Sequence, residues 1–522
     1  METRSVKVWI FAGLVLAGFA TVLAAQVAAS TPPGAEKPPS AGRAFLKEKK
    51  YAEALTALEQ EILKSPEDAD LQAAKLEALL VLGRYTETAK LALGLSSKFP
   101  DHPEFRLDLG EAAFGMGMVA QAAQTWAALA KDKTLGSQAV VRAVRAYCAV
   151  GKEEEARKLL AAALVGNENP SPSLLRLQMA FCKTGIEGTR IAEALVKAVP
   201  DRREEYEALR KLFAQAGDGP WMGESPAPAG PVTVPLKEKS ERVEFSSLIW
   251  GSSGSDEIST STRVLLPATF KDGKERWMLL DSGASVAMIS RFLAKDLGLE
   301  AISTAEYIGL GERGTQTSSW VLVPEMRVGE LVFKNVPAIL IEDKTDFWEK
   351  TGGILPIELF RHYAVQYDRR HSKLTLHPSG TTPEAAMGAD TFGVNSLWFD
   401  GNPYIETVLQ GQKGAYFLLD TGASTTFLDS RRTGNLGIKM NQTRYAPQTG
   451  VGMSGSFQSG VAVDVVLLFG NTRFDFPTIH AIPLGWDSDL PCYGIMGRSI
   501  LDKFSIFFDY TKNVLAFKPY NK

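Results

Sequence analysis

The chain has 522 residues, of which 45% are hydrophobic and 22% charged, with a formal net charge of −3. That length calls for about three domains rather than one. Nothing in the near-neutral balance suggests the basic surface a nucleic-acid-binding protein needs, and net charge alone discriminates little; three cysteines, an odd and low count, give no disulfide framework.

Arg4 and Lys7 precede an apolar run from Val8 to Ala25. Small residues follow at Val27-Ala28-Ala29, and a Pro-rich stretch runs on to Pro39. This order predicts a secretory signal peptide over 1–29. The run is close to bilayer-spanning length, so an uncleaved anchor is the alternative. Either way the body of the protein is expected to be exported, periplasmic or secreted. A membrane enters only if the segment stays uncleaved. Residues 30–42 follow as a Pro-rich linker.

Residues 43–216 are rich in Ala, Leu, Glu and Lys and repeat at a fixed period. Gly83, Gly117, Gly151 and Gly185 are each 34 apart, and Lys49 falls one period earlier. Five positions after the first four of these come Ala54, Thr88, Ala122 and Ala156, and Pro66 and Pro100 close the first two units. The glycine marks the turn between paired helices, the small residue lets them approach, and the proline stops the second helix. The pattern resembles the tetratricopeptide repeat family. That resemblance implies a stacked all-α solenoid whose groove could take a protein partner, or which could serve as a spacer. Cys148 and Cys182 share one repeat position and are expected in its core. Residues 217–242 are Pro-rich and are expected to be an extended linker.

From residue 243 the pattern turns to short apolar or alternating runs separated by Gly, Asp, Asn and Pro, which is all-β punctuation. Two runs stand out: Asp281-Ser282-Gly283-Ala284-Ser285 after Trp277-Met278-Leu279-Leu280, and Asp420-Thr421-Gly422-Ala423-Ser424 after Tyr416-Phe417-Leu418-Leu419. They are 139 residues apart, as are Gly298 and Gly437. Beyond these, Gly309, Gly311 and Gly314 match Gly450, Gly452 and Gly455 at a separation of 141, and so do Gly353-Ile354 with Gly494-Ile495 and Asp368 with Asp509. The half is therefore a duplication: lobe one over 243–378, a joint over 379–390, lobe two over 391–522.

Each lobe resembles a retropepsin-like aspartic protease lobe, and the tandem pair a pepsin-like two-lobed domain. The resemblance implies a cleft between the lobes that takes a peptide or protein substrate. It implies Asp281 and Asp420 as the catalytic pair, with Ser282, Gly283, Thr421 and Gly422 supporting it. It makes Gly309, Gly311, Gly314, Gly450, Gly452 and Gly455 flap residues over the substrate, with Arg313 and Met453 near their tips. Two carboxylates in contact cannot both ionise, so one serves as base on a water while the other keeps a proton for the carbonyl. Ala284 and Ala423 stand where a hydroxyl often stabilises the ionised form. Their lack of one implies a pair that titrates high and an activity optimum at weakly acidic to neutral pH. Pro356 stands where lobe two has Gly497, and is expected to disturb the segment behind Asp281.

No cofactor is expected. The five histidines are scattered and no Cys/His set has metal-ligand spacing. The reading is an exported aspartic endopeptidase with partner-recruiting repeats. The alternative is a non-catalytic peptide-binding scaffold with a dead cleft.

Overall fold

A computed structural model describes residues 40–224, 229–244, 258–308, 315–342, 349–399, 401–433, 436–449, 456–482, 484 and 492–520. The leader over 1–29, with most of the linker after it, and all six flap glycines with Arg313 and Met453 lie outside the described residues. The chain divides into two compact units, one built on 19–174 and the other on 175–488 with 492–522.

The first unit is helical. Its helices are α1 (Ala41–Lys47), α2 (Tyr51–Lys64), α3 (Ala69–Val81), α4 (Tyr85–Lys98), α5 (Glu104–Gly115), α6 (Val119–Ala127), α7 (Gly136–Ala149) and α8 (Glu153–Leu164). Helix α9 (Pro172–Ala180) follows in the chain. The repeat reading holds at atomic detail. Lys49, Gly83, Gly117 and Gly151 all sit at positive φ, between 60° and 78°. After each, the next N–H reaches back over the turn: Lys50 to Phe45 O, Arg84 to Leu79 O, Met118 to Ala113 O and Lys152 to Tyr147 O. These are left-handed helix ends that satisfy carbonyls the helix leaves open. Lys49 adopts a conformation that costs a non-glycine residue about 1 kcal/mol or more. The small residue five positions on is fully buried in every unit: Ala54, Thr88, Ala122 and Ala156 are each 0% exposed.

The fourth repeat glycine does something else. Gly185 has no positive φ. It opens α10 (Gly185–Ala198), capped by the Thr184 hydroxyl on Glu187 N, while the Glu187 carboxylate accepts from Lys183 N. Its bare Cα lets α11 (Arg203–Ala216) close in; a Cβ there would strike the Phe213 carbonyl. This helical hairpin belongs to the second unit. Phe213, Leu209, Leu212 and Trp221 pack with Trp320, Leu322 and Ile339 of lobe one in one core, which also buries Cys182. The Phe213 and Trp221 rings lie 4.2 Å apart. Cys148 is half-buried, in the other unit.

The linker expected over 217–242 is instead stitched into the β-sheets. Gly223–Glu224 pairs with the strand Leu331–Ile341. Val232–Pro235 joins the strand Lys373–His377, and Lys237–Glu244 pairs with Ile258–Phe270. The prolines do not prevent this, because these are edge pairings that leave some N–H groups unused.

The rest of the second unit is two matching β lobes. In lobe one, strand Glu275–Asp281 runs parallel to Gly353–Pro356; in lobe two, strand Gln412–Leu419 runs parallel to Cys492–Met496. The long hairpins Ser303–Ile308/Thr315–Val328 and Met440–Thr449/Ser456–Phe469 also correspond. A six-stranded sheet joins the lobes. Ala364–Asp368 of lobe one pairs antiparallel with Phe504–Asp509 of lobe two, with Ala364 opposite Asp509. Ile357, Phe360, Val365, Tyr367, Ile506 and Phe508 bury its core-facing side in one hydrophobic cluster shared by both lobes. That continuous sheet fixes how the two lobes face each other.

Candidate active site

The strand Glu275–Asp281 is apolar up to its last residue. Met278, Leu279 and Leu280 are buried, and Asp281 emerges where the strand ends in a turn. Tyr416 to Leu419 does the same for Asp420. The two turns meet back to back and brace one another. Ser282 N donates to Thr421 Oγ1 at 3.0 Å, and Thr421 Oγ1 donates to Leu280 O at 3.2 Å. Thr421 N donates to Ser282 Oγ at 3.0 Å, and Ser282 Oγ donates to Leu419 O at 2.8 Å. Each hydroxyl both accepts from and donates to the other turn. The four bonds are buried, so each is worth more than it would be in water.

This lattice brings the two carboxyls into hydrogen-bond contact. The glycines make room for it. A Cβ at Gly283 would lie 2.6 Å from Asp420 Cγ, and one at Gly422 would lie 2.7 Å from Asp281 Cγ. Backbone donors hold each carboxyl in place: Gly283 N on Asp281 Oδ1 at 2.8 Å, and Gly422 N and Ala423 N on Asp420 Oδ1 at 2.8 and 2.9 Å. Asp281 keeps part of its surface open, while Asp420 is 8% exposed.

Burial raises the proton affinity of both groups. For Asp420 the neighbouring Asp281 charge adds to that, and the result is well above the usual carboxylate range. For Asp281 the rise is opposed by Gly283 N, by the bond to Asp420 and by the Arg263 guanidinium. A pair of this kind is expected to share one proton over a wide pH range.

Residues 266–355 match the family model described as aspartyl protease. The matched stretch runs from the strand before Asp281 to the residue before Pro356 and is similar to an aspartyl protease domain. No curated protein matches the chain. Among solved structures, a thermophilic TPR protein from Thermus thermophilus aligns at 18% identity over 34% of this chain and 94% of that one, with a TM-score of 0.26.

The effect expected of Pro356 is not seen. The strand Gly353–Pro356 keeps its parallel register, with Pro356 level with Asp281. In lobe two, Gly497 N donates to Thr426 Oγ1 at 3.2 Å, and Thr426 also bonds Ser499. The matching residues of lobe one are Pro356 and Ala287. Donor and acceptor are absent together, so nothing buried is left unpaired. Gly497 is constrained for a separate reason: a Cβ there would strike the Thr425 carbonyl.

Two neighbours of the pair escape a motif-based reading. Leu265–Leu279 is the last pair of its ladder, and carrying that register two residues further on each strand puts Arg263 opposite Asp281. Tyr404–Leu418 is likewise the end pair of its ladder, and the same continuation puts Asn402 opposite Asp420. Both stand 18 residues before their aspartate, which is the signal that finds them. No group of three or more metal-binding side chains occurs among the described residues.

Proposed function

We propose that the protein is an aspartic endopeptidase that hydrolyses peptide bonds with a water activated between Asp281 and Asp420. The mutually braced pair of carboxyls in hydrogen-bond contact carries this reading. In the reaction, the ionised carboxylate takes a proton from the water as its oxygen adds to the scissile carbonyl carbon. The protonated carboxyl gives its proton to the carbonyl oxygen. The tetrahedral diol then collapses: the second carboxylate takes back a proton from one diol hydroxyl as the carbonyl re-forms, the C–N bond breaks, and the leaving nitrogen takes the proton held by the first carboxyl. Both groups return to their starting state. The brace holds the two turns together, and neither carboxyl can turn away without breaking the backbone hydrogen bonds it accepts within its own turn.

An extended peptide in the cleft between the lobes is the substrate that suits this geometry. The helical repeats are proposed to recruit a protein partner or substrate, and the leader to direct the chain to the periplasm or out of the cell. No helix among the described residues is long and apolar enough to cross a membrane. The raised proton affinity of the pair favours activity at weakly acidic to neutral pH.

The test is cleavage of a denatured protein mixture between pH 3 and 8, with pepstatin and Asp420→Asn as controls. Cleavage that pepstatin and the variant both abolish supports the proposal. Cleavage unchanged in the variant refutes it. Folded protein that cleaves nothing favours the scaffold reading. An optimum below about pH 3.5 contradicts the environment described for the pair.

A further inference from the structure

The two carboxyls are related by the duplication, yet their surroundings are not. On the strand beside Asp281 stands Arg263, 7% exposed. The same position beside Asp420 is Asn402, which carries no charge. Behind Arg263, on the next strand, is half-buried Lys239, paired with it in register. Behind Asn402, the equivalent residue is buried Phe399. Among the described residues, lobe one thus places a cation at each of these two strand positions, and lobe two places none at the matching ones.

We propose that Arg263 is a positioning residue that makes the pair unequal: it holds Asp281 as the carboxylate and leaves the shared proton on Asp420. This deepens the endopeptidase reading and rests on the same two aspartates, since it assigns Asp281 as the base on water and Asp420 as the acid on the carbonyl. A buried cation favours the ionised form of the carboxyl nearest to it and helps the farther one less.

The charged groups around the pair, among the described residues, are few. The strand Ile258–Phe270 presents Arg263, with Lys239 behind it. The opposite turn presents Asp420 itself. The strand Gly353–Pro356 presents Pro356, and the strand Asn402–Leu409 presents Asn402. Arg498, next to Gly497, is tied to Asp502 at 3.2 Å. The direction of the charge effects agrees: Arg263 lowers the proton affinity of Asp281, whereas the charge acting on Asp420 is that of Asp281, which raises it.

The test isolates each carboxyl. The full chain, with aspartate labelled at the side-chain carbon, is titrated by NMR as Asp420→Asn, which leaves Asp281 alone, and as Asp281→Asn, which leaves Asp420 alone. Arg263→Gln is added to each. The expected result is that Asp281 titrates below Asp420, and that Arg263→Gln raises Asp281 by about one pH unit, a tenfold gain in proton affinity, with a smaller change at Asp420. Arg263→Lys is expected to restore most of the difference. Asp420 titrating at or below Asp281 overturns the proposal, and so does an Arg263→Gln shift equal at both. The comparison of the two Asn variants needs no Arg263 variant to fold. Because the titration needs no turnover, a protein without protease activity can still show the difference, and an active one can still lack it.

Discussion

Thr421→Val is the sharpest probe of the brace beneath the carboxyls. Valine keeps the shape of threonine and removes its hydroxyl. Two buried groups then lose their partner: Ser282 N, which donates to that hydroxyl at 3.0 Å, and Leu280 O, which accepts from it at 3.2 Å. Ser282 is 0% exposed and Thr421 is 3% exposed, so water cannot replace the missing group in the folded state. Each orphaned group costs about 1–3 kcal/mol, so the pair together costs about 2–6 kcal/mol. Hydrogen exchange of peptides spanning 276–290 and 415–425 reads this locally, which matters in a chain of two units where global unfolding need not be two-state. A loss of about 2 kcal/mol speeds exchange there roughly thirtyfold. Thr421→Ser keeps the hydroxyl and is expected to stay within about 1 kcal/mol of wild type. Because two of the four bonds join Ser282 directly to Thr421, adding Ser282→Ala to Thr421→Val is expected to depart from the sum of the two. Exchange in Thr421→Val within twofold of wild type would refute the reasoning.

Three further outcomes follow from the same structure. Gly422→Ala pushes a methyl to 2.7 Å from Asp281 Cγ and is expected to reduce cleavage at least tenfold at an optimal pH, by parting the carboxyls; wild-type turnover would contradict this. The proton affinity of Asp420 is higher folded than unfolded, so the folded state pays for ionising it as pH rises from about 4 upward through the raised range. Asp420→Asn lacks that cost, and its unfolding midpoint is expected to match wild type near pH 4 and exceed it at pH 7; a gap that shrinks with rising pH would show the sign to be wrong. Phe213→Ala empties the core that joins the α10–α11 hairpin to lobe one, at a cost of about 3–5 kcal/mol, and should expose Arg210 and Lys211 to added trypsin; a hairpin that stays resistant would show that the core does not hold it.

Much of this was legible in the residues because it repeats. A period of 34 announced the helical turns, and Gly83, Gly117 and Gly151 take up the left-handed conformation that glycine suits. The doubled Asp-(Ser/Thr)-Gly turn announced the site, since the hydroxyl and the glycine in each copy serve the other copy's turn. What was not legible depends on partners distant in sequence. Gly185 continues the period but serves helix packing rather than a turn, and only α11 shows why. The segment after residue 217 looks like a linker by composition, and its strands are set by edges that lie over a hundred residues away. Pro356 looked like a defect because the compensating residue, Ala287, stands 69 positions before it. Arg263 sits in no motif, and only strand register brings it beside Asp281.

The central claim is that two carboxyls act as one reacting pair. The most direct measurement is the cleavage rate of an unfolded protein by wild type, Asp281→Asn and Asp420→Asn, each verified as folded by circular dichroism. The account predicts that either single change lowers the rate at least about a hundredfold, because each removes one half of an acid–base pair. A variant that keeps a tenth or more of the wild-type rate would contradict it.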